Sequence, residues 1–388
     1  MIYIGIDVAK DKHDCFIVNS DGEVIKDVFT IPNTLDGFNT LLEAIPNVSK
    51  DKIKVGLEAT GHYSLNLMRF IIDNQFPLIV LNPLQTNLFR KAHTLRKSKT
   101  DKIDAKLIAL MLQSGNFKPH SDVSYHLREL KSLTRHKSRI KDNLAKYKIS
   151  LHRILDIMFP ELASVVYSLN QKSTYELLKA FPSKQAITSA HLTKLTNLLI
   201  KHSKGKYRKE KAILIKETAA KSIGTDSRAI SFELSQTLSF IEVYSNEINK
   251  IDNEIKSIMD EIQSPILTIP GISYGLASVI LAEIGDINRF DSPSKLLAFA
   301  GLEPSTYESG RFVATGMKMV KRGSSYLRWA ILEAARLVAM RDPTFKEYYQ
   351  KKKSEGKHHY VANSHVAKKL IRVIHHLLTN NLQFYPQK

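Results

Sequence analysis

The stretch Met1-Ile2-Tyr3-Ile4-Gly5-Ile6-Asp7, with Cys15-Phe16-Ile17-Val18 and Val24-Ile25 plus Val28-Phe29 behind it, decides the fold. Apolar residues recur with period two, and Ser20-Asp21-Gly22 supplies a turn between the second and third runs. This pattern predicts a three-stranded meander. Further along, Leu35 to Ile45 has helical spacing, Ile53-Lys54-Val55-Gly56-Leu57 is a short strand, and His62 to Asp73 is a helix. Pro77-Leu78-Ile79-Val80-Leu81 is a strand closed by Asn82-Pro83. The order βββαβαβ, with helix resuming at about Thr100, implies an α/β layered domain whose functional site lies at the strand ends.

From Leu127 the period changes. Leu127, Leu130, Thr134, Lys137, Ile140, Leu144, Tyr147, Leu151, Ile154 and Met158 recur at three and four, until Phe159-Pro160 ends the helix. A second seam runs through Leu234, Leu238, Ile241, Ile248, Ile251, Ile255, Ile258 and Ile262 to Ser264-Pro265. These two long helices are expected to pair with each other or across subunits. Between them, Lys201, Lys204, Lys206, Arg208, Lys209 and Lys211 around Gly205 read most simply as a solvated turn. The chain from about Ile266 is mainly helical with a Gly/Ser/Thr-rich interruption. Domains are therefore expected at 1–120, 121–265 and 266–388.

With 57 Lys+Arg against 38 Asp+Glu among 388 residues, the net charge is +19, which points to a polyanionic partner. The 43% hydrophobic content supports buried cores and excludes a disordered basic tail. A single cysteine, Cys15, excludes an intrachain disulfide or a cysteine-based zinc site. No run of 18 apolar residues is free of charge and no basic leader opens the chain, so neither membrane span nor signal peptide is expected. The expected setting is the cytoplasm. The charge is unevenly placed: residues 1–85 hold 7 cations and 11 anions, residues 86–153 hold 17 and 5, and residues 154–388 hold 33 and 22. Carboxylates gather where a metal could sit, and cations where phosphates could lie.

Four acids stand out. Asp7 ends one apolar strand and Glu58 follows another, while Asp101 and Asp104, three apart, share a helix face. A carboxylate at the end of a buried strand needs compensation, and a hard divalent cation supplies it while leaving coordination positions for water and phosphate. Asp11, Asp14 and Asp21 sit in turn-like polar surroundings and read as solvated. In the C-terminal segment, Ile269-Pro270-Gly271-Ile272 before Gly275 to Gly285 resembles half of a helix-hairpin-helix element, whose backbone amides can hold a phosphate. Next come Gly301-Leu302-Glu303-Pro304-Ser305, Glu308-Ser309-Gly310-Arg311, Lys318 and Lys321-Arg322-Gly323, followed by Arg328. Their cations could grip a scissile phosphate. On chemistry alone a serine here is a polar loop residue, because no histidine base accompanies it.

Taken together, Gly5-Ile6-Asp7, Glu58-Ala59-Thr60-Gly61, Asn82-Pro83 and Thr100-Asp101-x-x-Asp104-Ala105 resemble the DEDD domain of IS110-type transposases. Pro270-Gly271, Gly301-Leu302-x-Pro304, Ser309-Gly310 and Lys321-Arg322-Gly323-x-x-x-Leu327-Arg328 resemble the C-terminal domain of the same family, so the likeness spans nearly the whole chain. The resemblance implies an RNase H-like, RuvC-like α/β domain, coiled-coil-like helices and a mainly α C-terminal domain. It implies that Asp7, Glu58, Asp101 and Asp104 bind Mg2+ (or Mn2+), and that a serine forms a covalent link to DNA. Matching the Ser-Gly pair places that nucleophile on Ser309. Glu308 stands where many relatives carry another serine, and Ser305 is the reserve candidate. Donor and target DNA, a structured guide RNA from the element and a homo-oligomer, dimer or tetramer, are the partners so implied, and association with a prokaryotic nucleoid is the implied setting. Nucleic-acid contacts are expected from Arg96, Lys97, Lys99, Arg135, Lys137, Arg139, Gly271, Arg311, Lys318, Lys321, Arg322 and Arg328.

Other readings use the same residues. A RuvC-like structure-selective DNA endonuclease would activate water with the carboxylates and leave the serine block idle. A non-catalytic nucleic-acid-binding scaffold would explain the charge but not the four acids. An actin-like sugar kinase also begins with Gly-Ile-Asp, yet the later glycine-rich phosphate loops are missing. His358-His359 and His375-His376 lack a zinc-like partner set and read as solvated or packing residues. Trp329 and Ile331 to Met340 read as core, and Cys15 as a buried strand residue.

Overall fold

The computed structural model describes residues 1–58, 61–93, 101–115, 117, 125–305, 308–309, 312–313 and 319–386. They form two compact units, 1–123 and 124–388. The second unit includes both segments that the sequence divides at residue 265.

In the first unit, β1 (Ile2–Val8), β2 (Lys12–Asn19) and β3 (Val24–Pro32) form the antiparallel meander, with Ile4 opposite Ile17 and Asp7 opposite Asp14. After α1 (Leu35–Ala44), capped by the Thr34 hydroxyl, β4 (Ile53–Glu58) joins β1 in parallel. Past α2 (Leu65–Asp73), β5 (Leu78–Leu81) joins β4, also in parallel, giving the order β3-β2-β1-β4-β5. Then come α3 (Pro83–His93) and α4 (Asp101–Ser114). Of these, α3 is absent from the sequence reading, which takes Asn82-Pro83 as a stop. A proline at the first helical position has no amide hydrogen to lose and is already set for helix.

Strand alternation divides the sheet into two faces. Ile4, Ile6, Val55 and Leu57 pack with Phe38, Leu41, Leu67 and Ile71 from α1 and α2. On the other face, Tyr3, Phe16, Val18, Ile79 and Leu81 pack with Ala105, Ile108, Ala109 and Leu112 from α4. Two glycines let α4 approach this closely. A Cβ on Gly5 would lie 2.2 Å from the Ala105 carbonyl oxygen, and one on Gly56 would lie 2.6 Å from the Leu112 side chain.

The second unit is built on α5 (Tyr125–Met158). A helical head follows: α6 (Leu162–Val165), α7 (Lys172–Ala180), α8 (Lys184–Ser189), α9 (Leu192–His202) and α10 (Lys209–Ala220). Next, α11 (Arg228–Ile262) returns along α5. The two heptad seams thus meet within one chain. The His126–Glu261 hydrogen bond and the ion pairs Lys137–Asp252 and Arg153–Glu233 mark the antiparallel sense. The head shares a core with the adjoining ends of the arms: Phe159, Leu177, Leu195 and Ile215 pack with Leu151 and Ile154 of α5 and Leu234 and Leu238 of α11.

At the opposite end of the arms lie α12 (Tyr274–Ile284), α13 (Pro293–Phe299), the short strands β6 (Glu308–Ser309) and β7 (Phe312–Val313), α14 (Ser325–Arg341), α15 (Pro343–Ser354) and α16 (His359–Asn380). A second core gathers Ile280, Leu327, Ile331, Phe345 and Leu370. Two expectations are corrected in this segment. Trp329 is 51% and Met340 is 68% exposed, because both point away from the face of α14 that carries Ala330, Ala334 and Val338 inward. Cys15 is fully buried as expected. No helix among the described residues is long and apolar enough to cross a membrane.

Candidate active site

The carboxylates are delivered by strand register and by one helix. Ile6 and Leu57 are the last paired residues of the parallel β1–β4 ladder, so Asp7 and Glu58 come next on neighbouring strands. By alternation both belong to the face that α4 covers, the face of Tyr3 and Gly5. The direction of α4 follows from two contacts. Its distal end is at the Met1 end of the sheet, where the Gln113 amide donates to the Ser20 carbonyl at 3.0 Å and Ser20 N donates to Met1 O at 2.8 Å. Ala105 lies over Gly5. The helix therefore runs antiparallel to β1 and brings its first turn, with Asp101 and Asp104, to the Asp7 end. The Asp101 side chain lies outside the described residues.

Glu58 and Asp104 line one cleft of about 210 Å³. Its other wall is α3, with Thr86, Asn87 and Arg90. The Thr86 hydroxyl donates to Glu58 Oε2 at 2.8 Å. An Arg90 guanidinium nitrogen stands 3.6 Å from Asp104 Oδ1, and another donates to Asn87 Oδ1 at 3.0 Å. Both members of the ion pair are mostly shielded, with side chains 27% and 18% exposed. The donor chemistry suits a hard cation: the carboxylates of Glu58, at a strand end, and Asp104, in the first turn of α4, face a polar cleft wide enough for an ion and its water. Among the described residues, no three acidic, histidine or cysteine side chains form a ready-made metal cluster.

Asp14, read from the sequence as solvated, is 4% exposed. It sits directly opposite Asp7 on the same sheet face and accepts a hydrogen bond from the Thr30 hydroxyl. Beside it, His13 is fully buried with neither ring nitrogen at hydrogen-bonding geometry. Burial holds its imidazole below the usual histidine range, against the opposing influence of Asn33 and Asp14.

In the second unit, Ser309 ends β6, which pairs with β7 through Ser309 and Phe312. The side chain of Ser309 lies outside the described residues, as do Arg311 and Lys318 in full. Ser305 is half-buried. The base of this serine-bearing segment is closed by the bridge between Pro304 and Met319, and by Val320 N and Lys321 N donating to Glu303 O and Gly301 O. Arg328 spans the same base, donating to Lys321 O at 3.0 Å and to Ala300 O at 3.4 Å. Lys321 and Arg322 are exposed.

Below the base lies Glu283, a carboxylate that the apolar pattern of its helix conceals and whose side chain is 1% exposed. It accepts both arms of Arg135, at 2.8 and 3.0 Å, and the Ser324 hydroxyl at 2.8 Å. Ser324 also caps α14. Burial pushes the Glu283 carboxyl up, but the bonds from Arg135 and Ser324, with the nearby Lys131 charge, outweigh it and hold the carboxyl below the usual range.

Of the expected nucleic-acid contacts, Arg135 is thus committed to Glu283, Lys137 to Asp252 and Arg328 to backbone carbonyls. Gly271 packs against α14, where a Cβ would lie 2.9 Å from the Leu337 carbonyl carbon. Arg139 is exposed. Arg96, Lys97 and Lys99 lie outside the described residues.

An α/β unit with carboxylates at its strand ends, followed by a basic helical unit, fits the class of proteins that handle nucleic acid. Comparison with known proteins agrees. Residues 4–160 match a family model described as a transposase, the DEDD domain of IS110, and residues 263–350 match that of the IS116/IS110/IS902 transposase family. The chain is 22% identical to the 44.8 kDa protein of insertion element IS116 from Streptomyces clavuligerus, across 99% of this chain and 96% of that one. It is 23% identical to the pilin gene-inverting protein of Moraxella bovis, across 98% and 97%. A transposase for IS1328 from Yersinia enterocolitica is 34% identical over 24% of this chain and 29% of its own length. The chain belongs to the IS110-type transposase family.

Proposed function

We propose that this transposase is a DNA recombinase that cleaves and exchanges strands through a phosphoserine intermediate. The observation that carries the reading is the delivery of Glu58 and Asp104 to one cleft at the strand ends, with Asp7 on the same sheet face and Asp101 in the same helical turn as Asp104. The meander with two parallel strands added to it supports an RNase H-like, RuvC-like domain. Asp7, Glu58, Asp101 and Asp104 would hold Mg2+ or Mn2+. Such an ion supplies Lewis acidity and neutralises charge on a scissile phosphate. The hydroxyl of Ser309, with Ser305 in reserve, attacks phosphorus; the new P–O bond replaces the bond to the departing DNA oxygen, so a later DNA hydroxyl can reverse the step without external energy. Exposed Arg139, Lys321 and Arg322 contact phosphates. Donor DNA, target DNA and a structured RNA of the element are the partners, in an assembly of more than one copy. The name of the Moraxella relative, a gene-inverting protein, favours exchange over simple cutting.

Incubation of labelled element-end DNA with the protein, its element RNA and magnesium, followed by a denaturing gel, tests this. The expected product is protein-linked DNA that Ser309→Ala abolishes and Asp7→Ala or Asp104→Ala suppresses by at least about a hundredfold. Retention of the adduct in Ser309→Ala overturns the nucleophile. Free ends without any adduct would establish the structure-selective endonuclease instead.

A further inference from the structure

Arg90 has no role in the four-carboxylate scheme, yet it lines the same cleft as Glu58 and Asp104. Its helix answers two of the acids at once: Thr86 bonds Glu58, and Arg90, one turn later on the same face, faces Asp104 at 3.6 Å. Asn87 holds the guanidinium from behind at 3.0 Å. The pair is largely shielded from water, so its charges are felt more strongly than those of a surface ion pair. A guanidinium here does for Asp104 what a cation would do. Two cations on one carboxylate repel, while the planar fork of arginine matches a phosphate as well as a carboxylate.

We infer that Arg90 is the internal counter-cation of Asp104 in the metal-free protein and becomes a ligand of the scissile phosphate when the carboxylates take up a divalent ion. The inference rests on the metal role proposed above. α3 thus compensates Glu58 through Thr86 and Asp104 through Arg90.

The test pairs Mn2+ binding to the full-length protein, followed by electron paramagnetic resonance, with strand cleavage at saturating Mn2+. Removing a competing positive charge in Arg90→Ala should tighten Mn2+ binding about tenfold. Loss of the phosphate contact should slow cleavage about a hundredfold. Arg90→Lys keeps the charge without the fork and should return Mn2+ affinity close to wild type while restoring cleavage only in part. A purely structural role for Arg90 would weaken both properties, and a purely inhibitory one would raise both. Unchanged or weaker Mn2+ binding in Arg90→Ala, or unimpaired cleavage, overturns the inference while leaving the metal site in place if Glu58→Gln and Asp104→Asn still abolish binding. If wild-type binding is indifferent to those two substitutions, both readings fall.

Discussion

Glu283 shows how a single side chain couples several elements. It stands on α12, takes its charge partner Arg135 from α5 and its hydroxyl partner Ser324 from the start of α14. Glu283→Gln leaves a half-buried guanidinium poorly compensated and should cost about 2–3 kcal/mol, less than for a fully enclosed pair because the Arg135 side chain is 40% exposed. Urea unfolding at neutral pH measures this. The pH dependence has a definite sign. The folded carboxyl titrates below its unfolded value of about 4.3, so its stabilisation is complete above that pH and is lost as pH falls through the lower folded value. The acid limb of stability should therefore be shallower in Glu283→Gln than in wild type. None of this is legible in the sequence, where Leu276 to Ile284 reads as an apolar helix with one stray acid. Asp14 misled in the opposite way: polar neighbours suggested a turn, whereas it lies on a strand whose pairing with β1 buries it opposite Asp7.

At the level of elements, periodic pattern was enough for the sheet and for both long arms, because one buried face imposes register. It was not enough for α3, whose apolar residues are few and whose first proline resembles a terminator. That omission matters, since Thr86 and Arg90 came to the site unannounced. The candidate acids Asp7 and Glu58 were legible because each closes an apolar strand run, and Asp101 and Asp104 because a spacing of three puts them on one helix face. The seating of α4 was not, since it depends on what is missing from Gly5. Gly5→Ala sets a methyl 2.2 Å from a backbone oxygen that cannot yield without moving the helix. The expected cost is about 1–3 kcal/mol in unfolding of the first unit, with a larger fall in cleavage than stability alone explains, because α4 carries Asp101 and Asp104. Thermal unfolding, combined with the adduct assay at a temperature where the variant remains folded, separates the two effects.

Across the whole molecule, the +19 charge is partly consumed within the protein. Arg135 and Lys137 are paired internally, while Arg139, Lys321 and Arg322 remain exposed. The salt dependence of DNA affinity should register the difference. Arg139→Ala and Arg322→Ala should each lower the slope of log affinity against log salt by about 0.9, whereas Lys137→Ala should leave it unchanged and act on stability. Fluorescence anisotropy across a salt series gives those slopes.

The head between the arms has a topological consequence. Thr225 N donates to Ile157 O at 2.8 Å, and Gly224 packs so tightly on Met158 that a Cβ would meet its carbonyl oxygen at 2.1 Å. The chain thus leaves the arms and rejoins them through a single doorway. Everything from Phe159 to Ile223 is an excursion with coincident ends, seated on the arms by a shared core that takes in Leu151 and Ile154 of α5 and Leu234 and Ile241 of α11. Because the ends meet, the register of the arms is set at the doorway, while substitutions in the shared core should be felt by head and arms together.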